Sequence, residues 1–461
     1  MSKTKNNNLL RRTYRISTLE GVFAQVFGTF SMIGSSFIVK LLVILNATPI
    51  HFSLLSSIGQ VSQLFQPLGV AVTHNLQKRK KACVYITFFG RLLTLFLGIS
   101  LIFTNPHTGI WFLLILLFCS AALLSIGGNI WIAWLSDIVP LSYRGRFFSR
   151  RNQVLLIAGL VAGYIGSFTI DLFDINRNKI VLNSIIRLGL ADIFRPEYQS
   201  KVLSILFVIS TFIGIAGLYI LSKQPEKIVS KKHDSLKRLY LSPLKDTNFR
   251  KLLAFGMWWM LAIGVGSAFW SPFMLKKLQM SLFEVQIYGS IHMLSSFLSY
   301  RFWGMFIDKN GNKNAMMICV MIGGLNPMFW LFMNATSHYL IWMEALMSGF
   351  MWAGTGLVST NFVLSIAPKG QEQVYSGLYG AMGGLCMMLT TMLSGVLYPA
   401  KLDYGIINLE PEQIIFGIGG LMRWTAIIPL IFIQETKSGS IRHVLLSFKE
   451  NIILWLKQNK Q

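Results

Sequence analysis

The residues able to do chemistry in this chain are few, and most of them sit inside long apolar runs. Glu344 is the one carboxylate set well inside such a run, in "LIWMEALM". Loss of water disfavours a charged carboxylate, so an acid at that depth can carry a proton. His292, in "GSIHMLSS", is a second group that can change charge at neutral pH. Arg91 and Arg423 fall near the middle of their runs, and Arg301 near the end of its run. Such side chains either hold an anion or reach out to the membrane surface. Gln25, Asn129 and Thr355 add neutral hydrogen-bonding groups. No GxSxG, HExxH or GxxxxGK[ST] pattern is present. Cys83, Cys119, Cys319 and Cys386 lack CxxC or Cys/His metal spacing. The chemistry implied is proton and solute binding, with no cofactor or metal, and not the making of bonds by an enzyme.

The elements that must hold these groups follow from composition. Of 461 residues, 53% are hydrophobic and only 13% are charged, about half the charge of a soluble protein. Apolar runs long enough to cross a bilayer are expected near 19–45, 51–74, 82–104, 109–134, 152–174 and 201–222. A second set is expected near 251–275, 284–305, 314–333, 338–366, 374–399 and 413–434. The chain therefore reads as an all-α polytopic membrane protein of twelve spans. The first run is too long for a signal-peptide core and is read as a retained span. Residues 223–250, rich in Lys and Ser, separate an N-terminal half (1–222) from a C-terminal half (251–435), and 436–461 reads as a cytoplasmic tail. Two equal halves suggest a duplicated transporter fold.

The net charge of +24 fits membrane topology, since no nucleic-acid motif accompanies it. Lys and Arg crowd the opening stretch, "QKRKK", "SKKHDSLKR" and "DKNGNK", whereas "NATPIHF", "FTNPHTG" and "NATSH" have none. The positive-inside rule then places both termini in the cytoplasm, in a plasma (inner) membrane. The basic outer loop near 175–200 breaks the pattern, and its core "IVLNSIIRLGLADIF" is expected to lie as a helix on the outer surface.

Two loops carry a sharper signal. "RFWGMFIDKNGNKN", between the second and third spans of the C-terminal half, sets Gly304 one helical turn before Asp308, with Gly311 at a turn. A Gly there permits close approach of another helix. "WLSDIVPLSYRGRFFSRRN" packs Arg144, Arg146, Arg150 and Arg151 ahead of the fifth span. The first loop resembles the signature loop of the major facilitator superfamily, and the second resembles that family's loop between spans 4 and 5. Asn312 stands where a basic residue is usual, and the first-half copy is degraded, with Thr73 at the Asp position. The resemblance implies two pseudo-symmetric six-helix bundles and alternating access. It also implies a cytoplasmic latch in which Asp308 meets the start of the fifth span near Arg144, Arg150 and Arg151, while Glu372 answers the basic run 78–81.

The function expected is secondary transport of a small solute by a monomer among membrane lipids. Protons are the candidate coupling ion, and the intramembrane arginines lean toward an anionic or zwitterionic substrate. A non-transporting receptor or lipid-handling protein on the same scaffold is the alternative. The cavity and coupling candidates are Glu344, Asn129, Thr355, Gln25 and His292.

Overall fold

A computed structural model describes residues 2–73, 78–101, 105–139, 141–174, 192–227, 243–368, 372–404 and 407–435, with 76, 103, 183 and 186–189 between them. The chain divides into two compact units. Unit 1 is Met1–His233 with Met274–Gln286, and unit 2 is Asp234–Phe273 with Ile287–Gln461.

In unit 1 the helices are α1 (Ser2–Ser31), α2 (Ser36–Ile44), α3 (Pro49–Gln63), α4 (Gln66–Thr73), α5 (Lys80–Leu93), α6 (Pro106–Ile138), α7 (Leu141–Asp171) and α8 (Gln199–Ser222). Next come α9 (Thr247–Gly264), α10 (Trp270–Lys276), α11 (Leu282–Asn310), α12 (Asn312–Leu325), α13 (Leu340–Ile366), α14 (Glu372–Val396), α15 (Pro411–Thr425) and α16 (Ile427–Ile431). Helix occupies each of the twelve expected runs, and among the described residues eight stretches are by themselves long and apolar enough to span. An antiparallel pair not expected from the sequence, β1 (Leu402–Tyr404) and β2 (Ile407–Leu409), precedes α15.

Local chemistry explains several starts. Asn105 caps α6 by accepting from His107 N at 3.0 Å, with Pro106 in the first turn. Asp246 caps α9 through Asn248 N and Phe249 N. Short polar side chains satisfy amides that have no partner within the helix, and Pro costs nothing there. The first run breaks at Gly34, whose φ of 91° suits glycine, before Ser35 caps α2. Apolar side chains such as Phe297 (67% exposed) and Ile165 (63%) face outward, as lipid-facing positions do.

One boundary differs from expectation. The arginine-rich stretch was expected to be a loop, but α7 begins at Leu141 and carries all four arginines. The charge marks where the apolar run ends, and Arg is itself a good helix former, so the helix continues past it. Likewise Asp308 lies in the last turn of α11, and Gly311, at φ 85°, makes the break to α12.

The halves repeat one another in detail. In unit 1, Lys80 Nζ donates to the carbonyls of Ser222 (2.8 Å) and Gln224 (3.1 Å), while Lys80 N donates to Glu226 at 2.6 Å. In unit 2, Lys313 Nζ donates to Ile431 (2.7 Å) and Ile433 (2.9 Å), while Lys313 N donates to Glu435 at 2.7 Å. The two carbonyls stand four and two residues before the glutamate in both cases. Both third spans also finish as 3-10 helix, over Thr94–Leu101 and Asn326–Phe332. A shared clasp at matching offsets is what duplication of one six-helix unit produces.

Within unit 1, Asp171 at the end of α7 accepts from Leu282 N (2.9 Å) and Phe283 N (2.7 Å), capping the first turn of α11. The expected outer-surface helix near 180–194 and the middle of the linker (228–242) lie largely outside the described residues.

Candidate functional site

Unit 1 gathers an ionic cluster around Glu20 of α1, which is 4% exposed. Arg91 of α5 donates from Nη2 to Glu20 Oε1 at 2.9 Å, and its Nη1 bonds the Gly214 carbonyl of α8. Arg151 of α7 lies 3.8 Å from Glu20 Oε2 and donates from Nε to the Ser17 carbonyl at 3.1 Å. Its guanidinium covers the Trp131 ring at 4.7 Å, and that of Arg91 lies 5.5 Å from the Phe27 centroid. Arg91 does not snorkel, because a carboxylate and a helix carbonyl hold it inside. Glu20 was not singled out from sequence because it closely follows a polar, basic opening and reads as a boundary residue. The signal available was its place on the helix that contributes Gln25.

This cluster lines a cavity of about 210 Å³ with Thr87, Cys83 and Trp131. A second cavity of about 310 Å³ adjoins it, sharing Met32, Leu124 and Gly128, and is lined by Gln63, Gln66 and Asn129. Asn129 lines this cavity. Gln25 packs against Gly159 of α7, where an added Cβ would come within 2.8 Å of its Nε2.

Unit 2 places Glu344, 2% exposed, on α13. Asn326 Nδ2 donates to its Oε1 at 2.8 Å. The carboxylate lies near the Tyr288 and Trp330 side chains and near Arg423, but its Oε2 forms no hydrogen bond. The Arg423 Nη1 donates to the Gly323 carbonyl at 3.1 Å, and its guanidinium sits 5.9 Å from the Trp270 centroid. Arg423 is therefore buried and does not reach the surface. Thr355 is buried and bonds the Met351 carbonyl of its own helix at 3.0 Å, so its hydroxyl is spent locally. His292 is half-buried where α11 closely approaches Gly349 of α13.

The latch residues fall as follows. An added Cβ at Gly304 would meet nothing within 4 Å. Asp308 is exposed at the end of α11. Gly311 precedes amides capped by Glu435, which accepts from Asn312 N (2.9 Å), Asn312 Nδ2 (2.9 Å) and Lys313 N (2.7 Å). Arg150 is exposed, while Arg151 is engaged with Glu20 and Ser17. Arg144 and Glu372 lie in helical backbone, with side chains outside the described residues. In the degraded copy, Thr73 bonds its own helix at Gly69 O (2.8 Å), and Arg79 pairs with Asp137 at 2.7 Å. A further buried pair, Lys40 with Asp174, was not expected.

Solved structures similar to this chain include transporters. A point mutant of the nucleoside transporter NupG is 14% identical, with a TM-score of 0.68 over 92% of this chain and 100% of that one. The xylose transporter XylE from E. coli, partially occluded and inward open, gives 13% identity and a TM-score of 0.57 over 94% and 100%. A POT family transporter in complex with a thioalcohol-conjugated peptide gives 12% and 0.58 over 93% and 95%. At such identities the likeness shows the fold. No curated protein matches the sequence. The family description "Major Facilitator Superfamily" matches residues 21–391, most of the chain, which belongs to that superfamily.

Proposed function

We propose that this chain couples solute movement to protons and that Glu344 carries the proton. As a member of the superfamily it is an integral multi-pass secondary active transporter of a small solute, working by alternating access. Among the described residues Glu20, Asp171, Asp174, Glu344 and Glu412 are buried acids. Asp171 caps α11, Asp174 pairs with Lys40 and Glu412 lies in the first turn of α15, which leaves Glu20 and Glu344 to compare for the coupling role. Glu20 is held in ion pairs by two guanidinium groups, those of Arg91 and Arg151. The hydrogen-bonded partner of Glu344 is the neutral amide of Asn326. That difference is the observation carrying the proposal: Glu344 can be neutralised without stranding a directly bonded cation.

The protein works as a monomer among lipids, with both termini in the cytoplasm of an inner membrane, and engages no nucleic acid. The signature loop of Gly304, Asp308 and Gly311 biases access at the cytoplasmic side together with Arg144 and Arg150. Arg151 serves its own unit through Glu20. Glu372 and the basic run 78–81 form the reversed counterpart. His292, Gln25 and Thr355 support packing around the transport path.

The test uses protein in vesicles with a solute selected by thermal-shift screening. Glu344→Gln is expected to retain solute exchange and to lose accumulation driven by a pH gradient. Accumulation at the wild-type level by Glu344→Gln removes Glu344 from the coupling role.

A further inference from the structure

The cavity beside Glu20 has a charge imbalance. Arg91 and Arg151 are 5% and 9% exposed, and Glu20 is the carboxylate lining the cavity with them. Among the described residues, two cations against one anion leave an excess positive charge among Phe27, Leu124, Leu221 and Trp131. An uncompensated charge away from water is costly. Arg91 Nε is moreover buried without a hydrogen-bond partner, a donor left over after Glu20 and the Gly214 carbonyl are served.

We infer that this pocket seats the carboxylate of a small, hydroxyl- or amide-bearing organic monoanion on the cavity side of the cluster that Arg91, Glu20 and Arg151 form. Size argues for more than a bare halide. About 210 Å³ equals the liquid volume of roughly seven waters, at about 30 Å³ each. The adjoining cavity of about 310 Å³ offers Gln63, Gln66, Asn129 and Ser62, neutral groups that hydrogen-bond hydroxyls or amides. A charged end and a neutral polar body match the two cavities in turn. A monoanion balances the excess charge, whereas a dianion reverses it. The inference rests on the transport reading for its biological sense, since it names the substrate class, but binding can be read without transport.

The experiment measures thermal stabilisation of the purified full-length protein in detergent at fixed ionic strength. D-gluconate, D-glucose and chloride are titrated separately. Gluconate is expected to stabilise in a saturable manner, glucose not at all, and chloride only at concentrations at least tenfold higher. Arg91→Gln should weaken gluconate at least tenfold and Arg91→Lys by less. Glu20→Gln removes the competing anion and should tighten gluconate severalfold. Equal effects of gluconate and glucose overturn the proposal, as does stabilisation by chloride at or below gluconate concentrations, which means an inorganic-anion site. Absence of saturable gluconate stabilisation in the wild type overturns it whether or not the variants fold. Saturable binding without uptake in vesicles leaves the pocket standing and defeats the transport reading. Uptake of other solutes without gluconate binding does the reverse.

Discussion

Replacing Glu435 with Gln tests the repeated clasp with a prediction of rank as well as size. The Glu435 carboxylate accepts three hydrogen bonds, two of them from backbone amides at the start of α12. Hydrogen bonds to charged groups are worth about 1.5–3 kcal/mol and helix caps about 0.5–2 kcal/mol. Glu435 is half-exposed, which screens its charge, and Gln keeps one acceptor oxygen. A loss of about 2 kcal/mol follows. In a unit of this size, about 1 kcal/mol moves the midpoint by about 2–4 °C, so the expected drop is about 4–8 °C. The matching Glu226 accepts from Lys80 N at 2.6 Å. With fewer bonds, Glu226→Gln should cost about 1 kcal/mol, or about 2–4 °C. The assay is thermal denaturation in detergent at one scan rate for both variants, since unfolding of such proteins is often irreversible. An unchanged midpoint for Glu435→Gln, or a larger loss for Glu226→Gln, refutes the reasoning.

Gly311→Ala, which forces a β-carbon onto a φ of 85°, should destabilise unit 2 by about 1–2 kcal/mol, read from the same melting curves; no change means that the turn relaxes freely. Asp308→Asn should raise labelling of engineered cysteines from the cytoplasmic side and slow turnover, and Thr73→Ala should do much less; equal effects remove the latch role. A cysteine at Thr48 should react with impermeant reagent from outside, and one at Ser235 only from the cytoplasm; outside labelling at Ser235 ends the proposed topology.

The spans were legible because a bilayer demands continuous apolar runs, and each expected run holds helix. Helix ends were less legible. Composition marks the edge of the membrane and not the end of hydrogen bonding, which is why Leu141–Arg151 was read as loop. Asn129 is legible as a polar group on a helix inside an apolar run, and the structure sets it on the wall of a cavity beside Gln63 and Gln66. Glu20 and its pairings with Arg91 and Arg151 were hidden because their meaning lies in which helices meet, and α1, α5 and α7 are far apart in sequence. Glu226 and Glu435 sit outside apolar runs, where carboxylates usually carry little information. Each stands four residues beyond the last helix of its half, which ends at Ser222 and Ile431, and that match emerges only from the helix ends. The Thr355 hydroxyl bonds the preceding turn of its own helix, a local bond that composition does not reveal.

The most direct test of proton coupling through Glu344 records lumenal pH in vesicles containing the protein while a gradient of a screened solute is imposed. The account predicts a solute-driven pH change with the wild type that Glu344→Gln abolishes, while Glu344→Gln still exchanges labelled solute. A solute-driven pH change of wild-type size in Glu344→Gln contradicts it.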